Sequence, residues 1–126
     1  MPDTQVLLVL AIREAGLRSA LTAQLALSGA SLITTEDVDN PALLRGVRRP
    51  AVLVLDGAMA AERPAAWIDG ALDERRWLQI VLFAAAARYK PHPKLLCLEA
   101  KDAARALSEN IPRWSEECAL ALVPRP

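Results

Sequence analysis

Three unbroken apolar runs constrain this chain more than any other feature: Val6-Leu7-Leu8-Val9-Leu10-Ala11-Ile12, Ala51-Val52-Leu53-Val54-Leu55 and Ile80-Val81-Leu82-Phe83. All fall far short of the roughly 20 apolar residues that span a bilayer, so none reads as a membrane helix. A strand with one wet face alternates apolar and polar residues, whereas a strand apolar at every position needs cover on both faces. Runs of this kind separated by helical stretches describe an α/β protein, with a mostly parallel sheet between two layers of helices. With 126 residues, the chain is one domain of this type.

The segments between the runs have helical spacing. Leu17, Leu21 and Leu25 recur at i, i+4 and i+8, with Gly29 as the stop. Ser31–Thr35 is a short β-branched run suited to a second strand. Asn40-Pro41 reads as an N-cap followed by proline at the first helical position, with Leu43, Leu44 and Val47 on one face and Pro50 closing the element. A further helix is expected at about Pro64–Arg76, with Ile68, Ala71 and Leu72 on one side. The last third admits two readings. Leu95-Leu96-Cys97-Leu98 is either a fifth strand followed by a helix from Asp102, or the start of a long helix through Asn110. Leu96, Ala100, Ala103, Leu107 and Ile111 favour the long helix, and the fifth strand then becomes Cys118–Val123.

Composition removes several function classes. Lys+Arg and Asp+Glu both number 15, a formal net charge of zero with the signs interleaved, which disfavours nucleic acid as the main partner. Met1–Gln5 lacks the basic start of a secretory signal, and the lone pair Cys97 and Cys118 reads as reduced thiols, so the expected location is cytoplasmic. No glycine-rich dinucleotide motif, P-loop or nucleophile elbow is present, and the single histidine, His92, sits in a Pro-His-Pro loop without partners. No catalytic residue and no metal cluster can be named, and the chain does not read as an enzyme.

The order of elements resembles the receiver domain of bacterial two-component response regulators, a flavodoxin-like fold with a five-stranded sheet. The similarity is carried by Gln5–Leu10 as the first strand, Leu17–Leu21 as the start of the first helix, and Arg49-Pro50-Ala51-Val52-Leu53-Val54-Leu55-Asp56 as the stretch leading to the phosphoacceptor aspartate. It covers about the first 85 residues well, and the C-terminal third is atypical. The resemblance implies that Asp56 is the phosphoacceptor candidate, that its pocket neighbours are Ile12, Arg13, Glu14 and Ala84, and that the phosphoryl donor is a histidine kinase or phosphotransfer protein.

At those positions the chain departs from the family. The acidic pair that holds Mg²⁺ falls on Ile12 and Arg13, which leaves Glu14 as the only carboxylate close by in sequence. The hydroxyl residue at the end of the fourth strand falls on Ala84 or a neighbouring alanine. The fifth-strand lysine falls on Ala100 beside Lys101, or on Val123 before Pro124. Three readings of Asp56 follow: a phosphoacceptor that needs Mg²⁺ as cofactor, an ion pair with Arg13 that mimics one signalling state, or a turn residue. The ion pair is preferred, because it requires no missing chemistry and no cofactor.

Other residues have structural readings first. Arg48-Arg49 and Arg75-Arg76 suit helix C-termini. Trp77 reads as core, while Trp67 lies off its helix stripe and Trp114 lies near the irregular C-terminus, which makes both interaction-surface candidates. The expectation is an atypical, stand-alone receiver-like signalling domain that acts by protein–protein interaction. Its partner would be another protein or a second copy of the chain (a homodimer), through the rebuilt C-terminal face and the segment after Ser115. A phosphorylated single-domain response regulator and a flavodoxin-like small-ligand binder or enzyme are the alternatives.

Overall fold

In a computed structural model, which describes residues 6–47 and 50–121, the three apolar runs form the middle of one sheet. The elements in chain order are β1 (Leu7–Ala11), α1 (Ala15–Leu25), β2 (Ser31–Thr34), α2 (Pro41–Gly46), β3 (Ala51–Leu55), α3 (Gly57–Ala61), α4 (Ala65–Leu72), β4 (Trp77–Leu82), β5 (Leu95–Cys97) and α5 (Ala103–Ala121). The sheet order is β2-β1-β3-β4-β5, and every pairing is parallel. This is the flavodoxin-like three-layer arrangement, with the sheet parallel throughout.

Successive side chains on a strand point to opposite faces, so each run feeds two cores. Val9, Ala11, Leu53, Leu55, Ile80 and Leu82 pack under α2, α3 and α4. Leu8, Leu10, Val52, Val54 and Val81 pack under α1 and α5. All five residues of β3 are buried, as expected of a strand with neighbours on both edges and helices on both faces.

The local start and stop signals act as the sequence implies. Asn40 caps α2 through its side-chain oxygen and the Ala42 N–H at 2.9 Å, with Pro41 at the first helical position. Gly29 takes a left-handed φ of 86° after the first helical segment, a conformation that costs a glycine nothing. The segment expected as one helix, 64–76, differs. The α3 turn precedes it, α4 stops at Leu72, and Arg75-Arg76 lie beyond that end, where Arg76 reaches the Leu44 carbonyl at 3.3 Å. Lys94 takes over at the α4 C-terminus, donating to the Leu72 and Glu74 carbonyls at 2.8 and 3.0 Å. Arg48-Arg49 lie outside the described residues.

The last third corrects the preferred reading. Leu95–Cys97 is a strand and not the start of a helix, paired Ile80↔Leu95, Val81↔Leu96 and Leu82↔Cys97. The polar backbone on the outer edge of β4 needs a partner, and Leu95 and Leu96 supply apolar side chains to both cores at once. Cys118–Ala121, expected in the fifth strand, is helical instead, and the rest of that segment, through Val123, lies outside the described residues. The buried stripe of α5 runs Ala103, Leu107, Ile111, Trp114 and Cys118, while Pro112 sits on its exposed side. Between β4 and β5, residues 83–94 form a loop with one short 3-10 turn and no α-helix. His92 is half-buried there, its Nδ1 accepting the Lys94 N–H at 3.0 Å, so it has a partner that the sequence did not reveal.

Candidate functional site

In a parallel sheet of this order the crossovers leave β1 and β3 in opposite directions, opening a crevice at the carboxyl ends of these strands. Asp56 follows β3 there, Ile12–Glu14 follow β1, and Ala84 follows β4. These residues therefore share the carboxyl edge of the sheet. What their side chains do is a separate matter.

Asp56 is 3% exposed, and both its carboxylate oxygens are engaged. Oδ2 accepts the backbone N–H groups of Arg13 and Glu14, each at 2.9 Å, and Oδ1 accepts the Met59 N–H at 2.9 Å. The last bond makes Asp56 the N-cap of α3, with extended backbone at φ −78° and ψ 174°. The first two tie the turn after β1 to the end of β3. Gly57 completes this corner, since a Cβ on it would come within 3.2 Å of the Phe83 carbonyl oxygen.

The expected Arg13–Asp56 ion pair is not formed. The main chain of Arg13 occupies Asp56, and its side chain turns outward to Glu62, with 2.7 Å between Nη2 and Oε1. Glu14 is likewise committed: its two oxygens accept the Gly16 and Leu17 N–H groups at 2.9 and 2.6 Å, capping α1. Ile12 is fully buried in the α1/α5 core. Ala84 is half-buried and offers no hydroxyl. Ala100 opens a 3-10 turn, and Lys101 pairs with Glu99 at 3.2 Å and not with Asp56.

These residues do not fit a divalent cation. Mg²⁺ requires several oxygen ligands in octahedral array. Asp56 already accepts three N–H groups, Glu14 faces its own helix, and the remaining positions carry an isoleucine, an alanine and a guanidinium. Among the described residues no three His, Cys, Asp or Glu side chains form a metal-holding group.

A second cluster borders the crevice and escaped sequence reasoning. Asp39 accepts from Arg63 Nη1 at 2.6 Å and from Trp67 Nε1 at 3.0 Å. Arg63 lies over the Trp67 ring, 5.2 Å from its centroid, and its Nη2 reaches Met59 Sδ at 3.9 Å, as does Arg13 Nη2. No spacing rule connects position 39 to positions 63 and 67, because the sheet brings them together. Trp67 is half-buried and lines a groove of about 280 Å³ between α2 and α4, so it remains an interaction-surface candidate.

Trp114 does not remain one. It is 0% exposed, and its indole N–H donates to Gln79 Oε1 at 3.2 Å, which also accepts from Arg113 at 3.0 Å. The α5 helix continues past Pro112 and turns position 114 onto its buried stripe. Trp77 is core, as its sequence context indicates.

No protein-family model matches the chain, and neither the curated proteins nor the solved structures contain a match to it. No helix among the described residues is long and apolar enough to cross a membrane.

Proposed function

We propose that the chain is a receiver-like signalling domain that acts in the cytoplasm by protein–protein contact, without Mg²⁺-dependent phosphorylation and without catalysis. The observation that carries this reading is the commitment of Asp56. A phosphoacceptor needs an oxygen free to attack phosphorus and a cation beside it to neutralise the transferred charge. Here the carboxylate is buried, binds three backbone N–H groups, and belongs to no metal-holding group of His, Cys, Asp or Glu among the described residues. The order and direction of the strands retain the scaffold that the resemblance implies, while the polar groups at its crevice have been put to work capping helices. The interaction surface is the C-terminal face, formed by the β4–β5 loop, β5 and α5, where the chain departs most from the resembled pattern.

Thermal denaturation with and without Mg²⁺ plus beryllofluoride tests the reading. A ligand at 100 times its Kd stabilises a competent pocket by about 2.7 kcal/mol. The expected result is an unchanged midpoint. A rise that depends on both Mg²⁺ and beryllofluoride and disappears in Asp56→Asn supports the competing reading, a response regulator phosphorylated on Asp56 by a histidine kinase or phosphotransfer protein.

A further inference from the structure

Each connection between successive strands carries an α-helix except the last, where residues 83–94 join β4 to β5 as a loop. On one face of the sheet α5 provides cover out to Leu96, while on the other helical cover stops at α4. Two adjoining cavities open there. One, of about 200 Å³, lies between α4 and β5 with apolar walls from Ile68, Leu72 and Leu95. The other, of about 230 Å³, follows the loop past His92, and the two share Tyr89, Lys90 and Leu95. A ligand lying across both fills space in the lower part of the roughly 300–1,000 Å³ range of small-molecule sites.

The polar groups around this apolar space are mainly donors and cations. Arg88 and Lys90 line it, are exposed, and make no ion pair among the described residues. His92 is pinned: its Nδ1 accepts the Lys94 N–H and its carbonyl accepts the Leu95 N–H, both at 3.0 Å. The prolines on either side of it, Pro91 and Pro93, fix the backbone further. With Nδ1 an acceptor, the neutral ring carries its proton on Nε2, which adds a donor to the wall of the second cavity. Among the described lining residues the first cavity has one acid, Asp69, and the second has none. An apolar space edged by two unpaired cations is complementary to an apolar body with an anionic head. A cationic head would meet like charge there.

We infer that the space between α4, β5 and the 83–94 loop binds a small organic acid, a carboxylate on an aliphatic chain or aromatic ring. The apolar part lies against Ile68, Leu72 and Leu95, and the carboxylate meets Arg88 and Lys90, of which the arginine can offer two parallel donors. The site is separate from Asp56 and goes beyond the protein-contact reading, since it is a property of the isolated chain. Because both cations are exposed, the affinity falls as salt rises, while the apolar contribution persists.

The test is an amide NMR titration of the full chain with octanoate and with hydrocinnamate, and with octylammonium and acetate as controls. The expected result is saturable binding of at least one of the two apolar acids, with the shifts gathered on α4 and residues 88–97. Octylammonium and acetate bind at least ten-fold more weakly. The double variant Arg88→Gln/Lys90→Gln weakens the acid at least ten-fold, and Ala65→Trp, which fills the first cavity from an exposed position, blocks it. Circular dichroism checks that both variants fold. Octylammonium binding as tightly as octanoate overturns the inference, as do shifts centred elsewhere or an affinity indifferent to both variants. Binding of neither acid also overturns it and leaves the groove to a segment of a protein partner. The protein-contact reading is judged separately by the Mg²⁺–beryllofluoride experiment: a response there removes that reading and leaves this site standing, and a failed titration removes this site alone.

Discussion

Replacing Asp56 by alanine separates a structural carboxylate from a phosphoacceptor by the sign of the stability change. In a pocket where several acids are held together to bind a cation, deleting one relieves repulsion, and the protein becomes more stable or is unaffected. Here the carboxylate accepts three N–H groups at 2.9 Å and is part of no group of three acids or other metal ligands among the described residues. Its removal leaves the buried Met59 N–H without an acceptor, at about 1–3 kcal/mol. The Arg13 and Glu14 N–H groups are only partly buried and recover some hydration, so about 0.5–1 kcal/mol each is a reasonable charge. The expected loss is roughly 2–5 kcal/mol, a large part of the 5–15 kcal/mol that stabilises a typical domain. Asparagine keeps one acceptor oxygen for Arg13 and Glu14 but turns its NH2 towards the Met59 N–H, which loses its acceptor, so Asp56→Asn should lose about 1–3 kcal/mol. Urea denaturation followed by the fluorescence of the buried Trp77 and Trp114 measures both values. An Asp56→Ala variant as stable as the natural chain, or more stable, refutes the reasoning.

Three further substitutions probe other parts of the structure. Arg13→Ala should change stability by less than about 0.5 kcal/mol in the same urea assay, because its pair with Glu62 is roughly half exposed on both sides; a loss above 2 kcal/mol would mean that the guanidinium serves Asp56 after all. Pro112 removes an N–H from the middle of α5 on its exposed side, so Pro112→Ala should stabilise by about 1–3 kcal/mol, read as a higher urea midpoint at unchanged slope. Burial holds Lys94 below the usual lysine range, against the opposite pull of Asp73 and Glu74. Between its folded and unfolded pKa values the unfolded chain binds the extra proton, so this group makes stability rise with pH in that alkaline window. Lys94→Met should remove that contribution, seen as a lower slope of stability against pH than in the natural chain; equal slopes would contradict it.

The central strands were legible because burial on both faces leaves an unbroken apolar run, a pattern that few other structures produce. That β1, β3 and β4 each divide their side chains between two cores was implicit in the same fact. β5 was obscured because it is three residues long, contains no β-branched residue, and happens to continue the helical spacing of Ala103, Leu107 and Ile111 backwards to Leu96. The same stripe extends forwards to Trp114 and Cys118 past Pro112, although a proline inside a helix forfeits a hydrogen bond. At the crevice, position was readable and role was not. The spacing from Asp56 back to Ile12 and Arg13 points to the turn that bonds to Asp56, yet those bonds come from main-chain N–H groups, which every residue except proline carries. Glu14 gave no signal as a cap, because glutamate is not among the residues favoured at that position. The half-exposure of β5 was invisible for a related reason: residues 83–94 form no α-helix to cover it.

Incubating the purified chain with radiolabelled acetyl phosphate and Mg²⁺, with Asp56→Ala alongside, tests the central claim most directly. The account predicts no label on either protein beyond background, because Asp56 is bound to three N–H groups and lacks the acids that would hold a cation. Label on the natural chain that is absent from Asp56→Ala would contradict it and return Asp56 to the role of phosphoacceptor.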